Sequence, residues 1–202
     1  MNFVYEHFSE IAGLISFFAY LVYIISTLRG KTKPSRSTWW ILTMVGILIF
    51  ATSYSLGAKE NMWIQMSYIV GPFIIAVLSL FPAYGYKEGL LKMDKICLVG
   101  AFLCAIIWLV FNSPFTAFLG SIVVDLIGLI PTIKKAYIDP KKEDPTAWGL
   151  EFLASVINML GITAWFSLAE KDWIYALYLF LLNGTVVILL WRHSLFRKFS
   201  RV

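Results

Sequence analysis

The sequence predicts an all-α polytopic membrane protein with seven transmembrane helices, arranged as two parallel three-helix bundles joined by an inversion linker helix. Three observations lead there. Of 202 residues, 59% are hydrophobic and only 14% charged, against about 45–50% and about 25% in a soluble domain; mean hydropathy is +0.77. Seven apolar runs approach the ~20 helical residues that a bilayer core requires. Fifteen of the seventeen Lys and Arg residues fall in alternate connections. The same numbers exclude a disordered, collagenous or coiled-coil chain. They also exclude a nucleic-acid partner, because the net charge of +5 is dispersed in short clusters between apolar runs.

The elements follow in order. Residues 1–10 lack a basic region and carry Glu6, His7 and Glu10, so they do not read as a signal peptide. Span one is 11–28, followed by Arg29, Lys31, Lys33 and Arg36. Span two is 39–56, followed by Lys59 and Glu60. Span three is 63–84, followed by Lys87, Lys92 and Lys95. Span four is 96–111; its Cys97 and Cys104, seven apart, read as small packing residues and imply no disulfide. Asn112, Ser113 and Pro114 then break the chain, since proline suits the first turn of a new helix. A fused fourth and fifth span would exceed about 35 residues, too long for one crossing. Span five is 115–133, followed by Lys134, Lys135, Lys141 and Lys142. Span six is 148–169, followed by Glu170, Lys171 and Asp172. Span seven is 173–191, with a tail bearing Arg192, Arg197, Lys198 and Arg201. Basic connections stay in the cytoplasm. The expectation is therefore an integral protein of the cytoplasmic membrane, with its N-terminus outside and its C-terminus inside.

The two halves repeat. Ser26-Thr27-Leu28-Arg29 aligns with Pro131-Thr132-Ile133-Lys134, and Thr38-Trp39-Trp40 with Thr146-Ala147-Trp148. Each half continues through two spans separated by a short acidic turn, followed by Trp63 or Trp173. Three spans is an odd number, so a single linker span is needed to insert both units the same way up. The expected units are 1–92, a linker at 93–113, and 114–202. This pattern, with a proline near the cytoplasmic end of one helix, a short basic loop and a Thr-Trp start to the next, resembles the PQ-loop superfamily. The three-plus-one-plus-three plan resembles its SWEET-like transporter branch, and nicotinamide-riboside transporters share a similar plan. The stretch from Gly30 to Trp39 looks like small bacterial membrane proteins of this type. The family's Pro-Gln pair falls at Pro131-Thr132 and Ser26-Thr27.

Polar residues inside spans are costly and are functional candidates by default. Asp125, in the middle of span five, has no Lys or Arg at its depth. It is expected to face the inter-repeat cavity, to be protonated in at least one state and to set any pH dependence of transport. Tyr20 aligns with Asp125 across the repeat. Asn158 and Asn183 offer two donors and an acceptor each, and the resemblance implies a substrate contact for an Asn on the third helix of a repeat. Trp165 resembles the family's stacking Trp. Tyr68, Gln65 and Tyr178 are expected to line the same cavity. Glu151 reads as an acid in the first turn of a helix, favoured by the helix dipole. Trp39, Trp40, Trp63, Trp148, Trp173 and Trp191 fall at span ends and read as interface anchors. Pro72 and Pro131 are candidate hinges.

His7 and His193 lie at opposite ends of this topology, so no metal site is expected. No Walker loop, GxSxG, HExxH or CxxC is present. The expectation is a transporter of a small polar solute, sugar- or vitamin-like, with no cofactor and no enzymatic activity. Its other partner is the lipid bilayer, and a homo-oligomer is compatible with the plan. A non-transporting scaffold or a sorting receptor like the KDEL-receptor relatives, or a channel, is the alternative.

Overall fold

A computed structural model describes residues 7–32, 34, 36–57, 61–84, 92–138, 140–162 and 172–199. Among the described residues there are seven α-helices, one 3-10 turn and no strand. The helices are α1 (Phe8–Leu28), α2 (Arg36–Ser55), α3 (Met62–Leu78), α4 (Lys92–Phe111), α5 (Pro114–Ile138), α6 (Pro145–Leu160) and α7 (Asp172–Phe199); the 3-10 turn is Pro140–Lys142.

The helices carry a pattern suited to lipid. In α1 the buried side is Ala12, Gly13, Ser16, Ala19, Tyr20 and Tyr23, small or polar residues at helical spacing. Leu14, Phe18 and Leu21 point outward. Water would reverse this arrangement; lipid, as apolar as leucine, leaves close packing and polar contacts to hold helices together. Four helices are long and apolar enough to cross a membrane: Phe8–Leu28, Thr38–Ser55, Pro114–Ile138 and Asp172–Arg192. Met62–Leu78 and Val99–Phe111 are apolar but shorter. These helices are consistent with an integral membrane protein.

Helix ends follow local chemistry. Asn112 adopts φ 47° between α4 and α5, a left-handed conformation that Asn tolerates and that ends a helix. Pro114 begins the next one. Asp144 caps α6, its Oδ1 accepting from the backbone N–H groups of Thr146 and Ala147 at 2.9 and 3.0 Å, with Pro145 in the first turn. Of three expected boundaries, two change and one is not described. The helix of span three stops at Leu78. Pro131 does not end α5, which continues to Ile138. Of span six, residues 163–169 lie outside the described residues.

α3 packs against α1 and α2, and α7 against α6 and, less extensively, α5. Between these triplets, α1 packs on α6 and α2 on α5. α4 packs on α5 and, less extensively, on α2. Arg36, at the start of α2, donates to the carbonyls of Ser79 and Leu80 just past α3. At the end of α5, Arg192 donates to the carbonyl of Tyr137 and lies 3.9 Å from the centre of its ring.

The α2–α3 contact is unusually close at Gly46. A Cβ there would stand 2.6 Å from the carbonyl oxygen of Tyr68. That carbonyl is four residues before Pro72, which has no N–H to offer it. Gly46→Ala therefore drives a methyl into backbone and is expected to destabilise by about 1–3 kcal/mol. Gly149→Ala, whose Cβ would meet only Trp191 at 4.0 Å, is expected to be near neutral. Thermal unfolding of both in detergent checks the difference.

Candidate functional site

The two triplets share the wall of one cavity. α1 contributes Ala19, Tyr20 and Tyr23 to it, and α3 contributes Tyr68 and Pro72. α5 contributes Asp125 and Leu129, and α7 contributes Tyr175, Leu182 and Asn183. Trp39, Leu42 and Gly46 come from α2; Ala147, Trp148 and Glu151 come from α6. No Lys, Arg or His is among the described residues of the wall.

Asp125 is 7% exposed. Its Oδ2 accepts from the Tyr178 hydroxyl at 2.5 Å. Glu151 is 6% exposed and closes a chain of hydroxyls. Ser67 donates to Ser16 at 2.6 Å, and Ser16 donates to Glu151, 3.0 and 2.9 Å from its two oxygens. The Tyr68 hydroxyl accepts from Asn183 Nδ2 at 2.8 Å, and the same Nδ2 donates to the backbone carbonyl of Glu151 at 3.4 Å. This network joins α1, α3, α6 and α7. The Oδ1 of Asn183 has no hydrogen-bond partner among the described residues. Tyr20 is fixed by ring contacts: its centroid lies 5.7 Å from Tyr68 and 6.4 Å from Trp39, both near perpendicular.

The expected site residues divide. Asp125, Asn183, Tyr20, Tyr68 and Pro72 line the cavity, and Tyr178 touches it through Asp125. Gln65 instead donates to Ser53 at 3.2 Å, between α3 and α2. Asn158 donates to Asn61 Oδ1 at 2.5 Å. Both are buried amides joining helices and neither lines the wall. Pro131 lies within α5, and Trp165 is outside the described residues.

Glu151, Tyr175, Trp39 and Trp148 were not expected in the wall. Glu151 is not in the first turn of its helix, because Asp144 and Pro145 start α6 three residues before Trp148. Trp39 is buried and not an exposed anchor, whereas Trp63 and Trp191 are exposed.

A polar clasp lies at each end of the helices. At one end, Asn61 Nδ2 donates to the backbone carbonyl and carboxylate of Asp172 at 2.7 and 2.8 Å, while its Oδ1 holds Asn158. At the other, buried Glu143 accepts from Trp148 Nε1 at 3.0 Å and from the Tyr23 hydroxyl at 3.5 Å. Asn61→Ala removes the shared partner of the first clasp and leaves buried amide groups unpaired. It is expected to cost about 1–3 kcal/mol, read as a lower unfolding temperature. Asn61→Asp, which keeps the acceptor for Asn158 but sets a second carboxylate beside Asp172, is expected to cost more.

Among the described residues there is no group of three or more metal-ligating side chains. No known family model, curated protein or solved structure matches the chain.

Proposed function

We propose that the chain is a membrane transporter of PQ-loop type that moves a small polar solute by alternating access between two three-helix units, 1–92 and 114–202, joined by a linker at 93–113. The observation that carries this reading is the cavity itself. It is bounded by helices of both units, holds two carboxylates and an amide at its wall, and has a polar clasp joining the units toward either end. A solute path between two rocking units needs a central site and two breakable closures. Hydrogen-bonded side chains serve as closures because water can replace their bonds when they part.

The repeat draws support from the pattern of neighbours. Among the six helices outside the linker, exchanging α1, α2 and α3 with α5, α6 and α7 leaves that pattern unchanged, while α4 packs on α5 and α2. Aligned positions also meet the cavity in pairs: Tyr20 with Asp125, and Trp39 with Ala147. In this reading all seven helices cross the membrane, with the basic connections in the cytoplasm and the N-terminus outside. The contact of Tyr23 in α1 with Glu143 before α6 supports a shared direction for the two units. Pro72 and Pro131 supply hinges, because each leaves a carbonyl without its helical partner.

Uptake by proteoliposomes, across a panel of sugars, vitamins, amines and amino acids, tests the proposal. Saturable uptake of one class is expected. No flux for any class sinks the transporter and favours the scaffold or sorting receptor; flux without saturation favours a channel. Asp125→Asn keeps the shape of a neutral acid and removes its proton. It is expected to leave the fold intact and flatten the pH profile of uptake; an unchanged profile removes Asp125 as the proton site.

A further inference from the structure

We propose that the solute is a small organic cation, an amine or quaternary ammonium carried on an apolar body, held between the carboxylates of Asp125 and Glu151. The inference rests on reading the cavity as the solute's path and names the chemistry that path accepts.

The charge of the wall comes first. Asp125 and Glu151 both line it, from α5 and α6, and no described wall residue is cationic. An ionised carboxylate offers about four acceptor sites. Asp125 receives one donor, from Tyr178. Glu151 receives Ser16, whose single proton serves one oxygen at a time. Neither carboxylate has a cationic partner among the described residues, and two such groups in a shared, water-poor space are costly as anions. A cation entering between them supplies the missing charge.

The second observation is independent. Asn183 is 1% exposed and lines the wall, yet its Oδ1 has no partner among the described residues. Of the buried side-chain oxygens without a partner among the described residues, this is the one that lines the wall, which places it to accept from the occupant. An ammonium provides donors and no acceptor.

The rest of the wall agrees. Tyr20, Tyr23, Trp39, Tyr68, Trp148 and Tyr175 surround the space. Aromatic rings attract cations within about 6 Å and tolerate an apolar body. An anion meets only like charge. A sugar satisfies Asn183 but leaves both carboxylates unneutralised. An inorganic divalent ion requires about six oxygen ligands, which this aromatic wall does not supply.

The test uses the full chain in lipid nanodiscs and four probes: choline, its uncharged isostere 3,3-dimethylbutan-1-ol, phenethylammonium and glucose. Binding is read by calorimetry, and folding by gel filtration and thermal unfolding. The cations are expected to bind at least tenfold more tightly than the isostere or glucose. Asp125→Asn and Glu151→Gln are each expected to weaken cation binding at least tenfold, and Gly149→Ala to leave it unchanged. Asn183→Asp adds a carboxylate at the unpartnered acceptor and is expected to tighten it, an effect of opposite sign that a folding defect cannot produce. Equal binding of choline and its isostere, or cation binding indifferent to all three substitutions, overturns the proposal. Uptake by proteoliposomes of the same preparation separates the two readings. Cation binding without flux preserves this inference and sinks the transporter; flux of glucose without charge discrimination preserves the transporter and sinks this inference.

Discussion

Gly71→Val is expected to abolish the uptake proposed above. Gly71 lies in α3, beside Pro72, and a Cβ built on it would stand 2.1 Å from Cγ of Tyr20 and 2.4 and 2.5 Å from its Cδ atoms. These are the base of a ring held by Tyr68 and Trp39, not the end of a flexible chain. Tyr20 can move only by swinging into the cavity or by separating α1 from α3. The first fills the solute site; the second breaks the first triplet. Overpacking of this kind costs about 1–3 kcal/mol and more where backbone must shift. The expected result is a protein that inserts and is extracted intact, unfolds at a lower temperature and shows no saturable uptake. Tyr20→Ala in the same chain makes the room that valine requires and is expected to restore the unfolding temperature of Gly71→Val. Uptake by Gly71→Val at the wild-type rate would mean that the Tyr20 wall is not part of the path.

Glu151→Gln and Glu151→Ala are expected to separate stability from transport. Glutamine keeps the volume and an oxygen for Ser16, so the link from α3 through Ser67 and Ser16 to α6 survives. Alanine removes that link and leaves the Ser16 hydroxyl without its acceptor, at about 1–3 kcal/mol. Only the alanine variant should unfold markedly earlier. Both remove the carboxylate, and losing one partner of a buried charged pair costs about 3–5 kcal/mol, which is about 10²–10⁴-fold in affinity. Uptake should fall by that order in both, measured with whichever solute the wild type carries. If the glutamine variant transports normally, Glu151 serves only to tie α6 to α1.

How far the sequence could be read depended on which solvent shaped each feature. The helices were legible as apolar runs bounded by charged and polar residues, and the four that are long and apolar enough to cross a membrane stood out most plainly. The break at Asn112 and Pro114 was legible because both residues have narrow backbone preferences. The length of α5 was not, since Lys134 and Lys135 mark where the apolar run ends and not where the helix does. Asp125 stood out as a lone acid in an apolar run. Glu151 did not, because taking Trp148 as the start of span six placed it in the first turn; Asp144-Pro145, a cap followed by a first-turn proline, was the signal for an earlier start. Trp39 and Trp148 read as interface anchors because a tryptophan near a helix end has the same sequence signature whether it faces lipid or a neighbouring unit. Gln65 and Asn158 show the converse. An intramembrane amide can join helices through its N–H groups alone, and only the partners it meets across the fold distinguish that use from a solute contact.

The central claim, that the cavity between the units opens to each side of the membrane in turn, is tested most directly by labelling one cavity position from both faces. In a chain with Cys97 and Cys104 replaced by serine, Leu129→Cys puts a thiol in the cavity wall and Ile188→Cys puts one on the exposed, lipid-facing side. Membrane-impermeant thiosulfonate reagents are applied to right-side-out and inside-out vesicles. The account predicts that the thiol at position 129 reacts from both faces, that a transported solute slows both reactions, and that the thiol at position 188 reacts from neither. Reaction at position 129 from one face only, unchanged by any solute in the panel, would contradict alternating access.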